Sequence, residues 1–268
     1  VRAAKALGVV LAVAALAPAA AVAGPRVMSL DSCADQYVLA LAPRDSIVGL
    51  SYRAVSRDSY MRDAAGGLPL RRATFESLVA AKPDVAVRLW GGDARLSKAL
   101  DRKGVTTVAL DDAVDFDGVR GNVRRVAEAL DRRPQGEALI ARMDAKLAKA
   151  AGAGQGREAL YLTPGGYTAG SGTLIDAMLK AAGYANASKA PYFAPVSLER
   201  MVMTPPKAVV LGLFDLVRAG SDRWGPGRHA ALQKAVKTRT VASLPASVVG
   251  CAGWFAADGS EALAKAAR

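Results

Sequence analysis

The sequence predicts an α/β protein in two like halves joined by one long helix. Three observations carry this. Short apolar runs alternate with amphipathic stretches, one central segment reads as a long helix, and a segment of the first half recurs without gaps in the second.

The runs at 26–30, 47–50, 84–88, 105–110, 159–163, 208–213 and 247–250 are short and apolar, as buried strands are. Between them, 74–81, 95–103 and 118–130 carry apolar residues at helical spacing. Strands alternating with helices make largely parallel sheets. From Pro134 to about Ala151 the pattern stays helical, with Pro134 acceptable in the first turn. Leu139, Ile140, Met143 and Leu147 form its apolar stripe. The glycine-rich AGAGQG at 151–156 then breaks it.

The repeat sets TFESLVAAKPDVAV (74–87) on SLERMVMTPPKAVV (197–210). Thr74 and Ser197 are N-cap residues able to bond free backbone amides. Glu76 and Glu199 share an early helical position, where the helix dipole favours a carboxylate. Pro83 and Pro206 end each helix, and an apolar strand follows. The segment therefore describes two equivalent lobes.

The amino terminus sets the compartment. Arg2 and Lys5 precede an almost unbroken apolar run from Ala6 to Ala20, and Ala21-Val22-Ala23 offers small residues for cleavage. That is the layout of a secretory signal peptide over 1–23; the run is too short and alanine-rich to serve well as a membrane anchor. No later segment is apolar for long enough to span a bilayer. About 245 residues remain, enough for two ordinary lobes, expected at 24–133 and 153–268 with the connecting helix at 134–152. Loss of Arg2 and Lys5 takes the net charge from +12 to +10, a field that draws anions. Dense basic runs and aromatic-basic motifs are missing, so nucleic acid is not an expected partner.

The segments RVMSLDSCADQYVLALA (26–42), IVGLS (47–51), YTAGSGTLID (167–176) and CAGWF (251–255), with both repeat copies, resemble the helical-backbone periplasmic binding proteins. These serve ABC importers for cobalamin and ferric siderophores. The likeness covers nearly all of the chain beyond residue 23, in order. It implies a periplasmic receptor with two Rossmann-like lobes joined by one rigid backbone helix and a ligand cleft between them. It also implies an ABC permease dimer as partner, met by one surface glutamate per lobe. The matching positions are Glu76 and Glu199, and two equivalent carboxylates suit a two-fold partner.

Ligands of open α/β sheets sit outside the carboxyl ends of the strands. The candidates there are Tyr52, Arg53 and Arg57 after the second strand, Arg71 before the first repeat helix, and Arg88 with Trp90 after the third strand. The second half offers Tyr167, Tyr192, Phe193 and Trp254. Rings supply contact area, and guanidinium groups pair with carboxylate or phenolate oxygens of a bulky metal chelate. Phe193 matches a ligand-contacting tryptophan of cobalamin-binding relatives, whereas Leu70 stands where those relatives carry a second one. Leu70, the positive charge and the arginines favour a ferric siderophore over cobalamin.

Cys33 and Cys251 follow the first and last expected strands. They are open to three readings: a disulfide, a pair of soft-metal ligands, or two unrelated buried thiols. Bare zinc or manganese capture is not expected with one histidine, His229, in the chain. A serine hydrolase would need that histidine and a Gly-x-Ser-x-Gly elbow, which is lacking. No phosphate loop or dinucleotide fingerprint is present either. The expectation is a binding protein without catalytic residues, cofactor or resident metal.

Overall fold

The structure, a computed structural model, describes residues 24–89, 91, 94–217 and 229–267. The expected signal peptide and Trp90 lie outside them.

The first half runs β1 (Val27–Ser29), α1 (Ser32–Leu41), β2 (Ile47–Gly49), α2 (Phe75–Ala81), β3 (Val85–Leu89), α3 (Ala94–Arg102), β4 (Thr106–Leu110) and α4 (Phe116–Ala129). Its strands form a parallel sheet in the order β2-β1-β3-β4. After the long α5 (Arg133–Ala150) come β5 (Glu158–Leu162), β6 (Tyr167–Ala169), α6 (Leu174–Ala181), β7 (Ala185–Asn186), β8 (Phe193–Pro195), α7 (Leu198–Met203) and β9 (Ala208–Gly212). The chain continues through α8 (Ala230–Arg239), β10 (Thr240–Leu244), α9 (Ala246–Val249) and α10 (Ala256–Ala267).

The second sheet is also parallel, in the order β7-β5-β9-β10. Matching β5 to β1 and β9 to β3 superposes the two connectivities, so α2–β3 and α7–β9 are equivalent units. The repeat is thus a feature of the fold. Side-chain caps hold the helix starts: Thr74 accepts from the Ser77 amide and Ser197 from the Arg200 amide. Leu78 and Met201, at matched positions, are both buried.

Residues 247–250 are not a strand. Pro245 opens a single helical turn, α9, and the last strand is β10. A short apolar run such as Ser247-Val-Val-Gly250 reads equally well as a buried strand or a buried turn. The β6–β8 antiparallel ribbon has no counterpart among the described residues of the first half.

The joint between lobes is more than one helix. α5 lies between α4 and α10. Arg120–Asp144 at 2.5 Å and Arg124–Glu137 at 2.7 Å tie it to α4, and Lys146–Asp258 ties it to α10. The segment 251–255 then crosses to the first lobe, where Cys251 is disulfide-bonded to Cys33. The Tyr37 hydroxyl donates to the Ala252 carbonyl at 2.7 Å. Phe255 stacks on Tyr60 with centroids 4.5 Å apart, and the Tyr60 hydroxyl donates to Asp258 at 2.6 Å. One continuous apolar core consequently runs from Val27 and Val85 through Met143 to Tyr161 and Val210.

Candidate functional site

The cleft sits at the carboxyl ends of the strands, as open α/β sheets dictate. Two adjoining cavities mark it. One, of about 160 Å³, is lined by Asp112 and Val114 of the first lobe and by Thr173, Tyr192, Phe193 and Cys251. The other, of about 550 Å³, is lined by Tyr161, Thr163, Tyr167, Leu213, Leu216 and Val217. Ile175, Phe193, Val249 and Gly250 line both, so the two are continuous. Gly212 lets the Tyr161 ring reach this floor: a Cβ there would lie 2.1 Å from the tyrosine hydroxyl.

The β6–β8 ribbon brings three expected residues together. Tyr167, Tyr192 and Phe193 are each about half exposed, and the Tyr192 and Phe193 rings meet edge-on at 5.4 Å. Tyr192 adopts a left-handed backbone, φ 60°, that points to a positional demand. Its hydroxyl donates to Asp112 Oδ2 at 2.8 Å, a hydrogen bond that spans the lobes at this cavity. That carboxylate holds the phenol above its usual pKa. Asp112 was absent from the sequence-derived set, although it follows strand β4 and so met the same rule as the others.

The arginines are arranged differently. Arg71 Nε donates to the Val48 carbonyl at 2.8 Å, and Arg88 bonds the Leu89 carbonyl and Ser97, so both serve their own lobe. Arg53 is exposed and pairs with Asp58, while Arg57 and Tyr52 are exposed on the segment after β2. None of these five residues lines either cavity, and among the described residues no lysine or arginine does. Trp254 is corrected from cleft to core. It is only 8 % exposed, edge-on to Tyr37 at 5.4 Å, because the 251–255 crossing turns its ring into the first lobe.

Among the described residues no group of three or more His, Cys, Asp or Glu side chains is placed to hold a metal ion. His229 is the N-cap of α8, its Nδ1 accepting from the Ala231 amide at 3.2 Å. No described helix is long and apolar enough to cross a membrane. Glu76 and Glu199 are both exposed in the first turns of α2 and α7. Its own backbone amide and the Thr74 hydroxyl hold Glu76 below the usual carboxylate range.

A buried carboxylate lies where β1 and β2 end. Asp35 accepts from the Ser51 amide at 2.8 Å, the Ser51 hydroxyl at 2.5 Å and the Ser29 hydroxyl. Burial outweighs these three donors and pushes its pKa up to about 6. The folded state thus keeps a proton that the unfolded chain releases near pH 4. Stability contributed by this group is full below that point and falls as pH rises through about 6, by about 3 kcal/mol in total. Denaturant unfolding of the wild type and Asp35→Asn at several pH values checks this. The wild type should lose stability relative to the variant between pH 4 and 6; parallel curves would rule the burial effect out.

Two equivalent α/β lobes around a partly apolar cleft define a two-lobed binding protein. The family model described as periplasmic binding protein matches residues 27–248, and the chain belongs to that family. Proteins of this family are binding proteins for transport rather than enzymes. Among solved structures, the chain is similar to the haem-binding protein RhuT from Roseiflexus sp. RS-1, at 22% identity and TM-score 0.70, covering 91% of this chain and 99% of that one. It is also similar to the haem-binding protein BhuT in complex with two haems, at 25% identity and TM-score 0.69, with 91% and 99% covered. The vitamin B12-binding protein BtuF of Vibrio cholerae matches at 17% identity and TM-score 0.64, with 91% and 97% covered. No curated protein matches the chain in sequence.

Proposed function

We propose that this chain is the cargo receptor of an ABC importer and that its cargo is a haem-type iron macrocycle held against the β6–β8 ribbon. The observation that carries the reading is the cavity of about 550 Å³. Its walls are leucine, isoleucine, valine and the rings of Tyr167 and Phe193, with no cationic side chain among the described lining residues. A cleft of this kind suits a broad, flat, mostly apolar ligand, whose rim acids stay near solvent. The similarity to a haem-bound receptor supports the same cargo.

A ferric siderophore is the second reading, favoured by exposed Arg53 and Arg57. Against it, Arg71 and Arg88 bond groups of the first lobe and line neither cavity. On either reading the residues before 24 act as a signal peptide that sends the chain to the periplasm, and Glu76 and Glu199 seat the loaded receptor on the permease. Charge pairing of this kind orients docking more than it adds affinity.

Absorbance titration with haemin, cobalamin, a ferric hydroxamate and a ferric catecholate tests the cargo. Haemin should give a saturable spectral change at micromolar or tighter affinity. Saturation by a siderophore alone would move the cargo to the second reading.

A further inference from the structure

Successive side chains of a strand point to opposite faces. Along β6, Tyr167 accordingly lines the cargo cleft, whereas Thr168 lines a separate cavity of about 210 Å³, bounded by α7 and the segment 187–190. No residue lining it also lines either cleft cavity. Its volume equals that of about seven waters at ~30 Å³ each, room for a small organic molecule and too little for a macrocycle. The floor is apolar: Leu160, Met201 and Pro206 are buried there, with Val196 beside them. Charge lies at the rim. Lys189 and Arg200 are exposed, and neither is in an ion pair among the described residues. Glu158 is the one carboxylate among the described lining residues, so two cations and one anion leave a net charge of +1. Thr168 is only 5 % exposed, and its buried hydroxyl has no hydrogen-bond partner among the described residues. A buried hydroxyl left unpaired costs the desolvation of that group, a cost that a polar ligand atom removes.

We propose that this cavity is a second ligand site, behind the ribbon, for a small organic acid carrying one carboxylate. The carboxylate pairs with Lys189 and Arg200, the Thr168 hydroxyl is a further donor, and the apolar body rests on Leu160 and Met201. Each part of the ligand follows from the lining. A net charge of +1 suits a singly charged acid better than a phosphate dianion. An apolar floor beneath a few polar groups is the usual make-up of a small-molecule site, and it favours an organic body over an inorganic ion. Charge-assisted bonds from an arginine and a lysine then fix the orientation.

Benzoate is the probe. Benzamide supplies the same ring without the charge, and inorganic phosphate supplies charge without the ring. Titrations follow the methionine methyl signals of the full chain by NMR, because Met201 reports on this cavity and Met178 on the cargo cleft. Benzoate should shift the Met201 signal saturably and leave Met178 in place, with benzamide and phosphate each about tenfold weaker. Lys189→Gln combined with Arg200→Gln should weaken benzoate about tenfold, and Thr168→Val about fivefold. Thr168→Val should leave the melting temperature unchanged or raised, since the hydroxyl it removes makes no hydrogen bond; a threonine kept for structure alone would lower it. An unmoved Met201 signal, a shift confined to Met178, or wild-type benzoate affinity in the Lys189 and Arg200 double variant would each overturn the site. Benzamide binding as tightly as benzoate would overturn the carboxylate as its ligand group, and phosphate doing so would overturn the organic body.

Discussion

Replacing Cys33 and Cys251 together with serine is expected to lower the unfolding free energy by up to about 5 kcal/mol. The bond closes a loop with a sequence separation of 218 residues, so without it the unfolded chain gains close to the largest entropy a single crosslink can withhold. Serine itself fits both positions, which are only partly buried, so the effect comes from the lost link rather than from strain. Denaturant unfolding of the oxidised wild type, the reduced wild type and the double variant would measure it. Reduced wild type and variant should coincide, both well below the oxidised form. The consequence reaches the cleft, because Cys251 lines the smaller cavity and Tyr37, Trp254 and Phe255 depend on the same crossing. Equal stability in all three samples would mean that the aromatic packing alone holds the crossing in place.

Phe193→Ala is expected to weaken cargo binding by about 30-fold, the effect of removing one well-placed aromatic anchor of about 2 kcal/mol. Phe193 is the ring common to both cavities, and its edge-on contact fixes Tyr192 beside Asp112. The ring is half exposed, so its loss should leave the melting temperature nearly unchanged. Haemin titration against the wild type separates the two effects. Arg53→Ala serves as comparison: a macrocycle held by the ribbon predicts a small change there, a siderophore a large one.

Periodicity made most of the architecture legible. The α5 stripe, the capped α2 and α7 units and six of the strands follow from local spacing, and the gapless repeat anticipated that the two sheets share one connectivity. Contacts between residues far apart in sequence were not legible. Nothing near Trp254 shows that its partners are Tyr37 and Tyr60, more than 190 positions away, so an aromatic beside a strand end read as cleft lining. The disulfide was one of three open readings for the same reason. In the candidate site, Tyr167 was found because it follows a strand, and Tyr192 and Phe193 because they stand just ahead of the second repeat helix, yet the ribbon that gathers them is two three-residue strands, too short for an alternation signal. Arg71 and Arg88 illustrate the converse: their places beside strand ends suggested ligand donors, and sequence gives no sign of the backbone carbonyls to which their Nε atoms donate.

The structure of the complex formed with haemin tests the central claim most directly. The account predicts the macrocycle between the lobes, one face against Tyr167 and Phe193 and its edge toward residues 213–217, with the Cys33–Cys251 link intact. A macrocycle seated instead beside Arg53 and Arg57 on the first lobe, away from the ribbon, would contradict it.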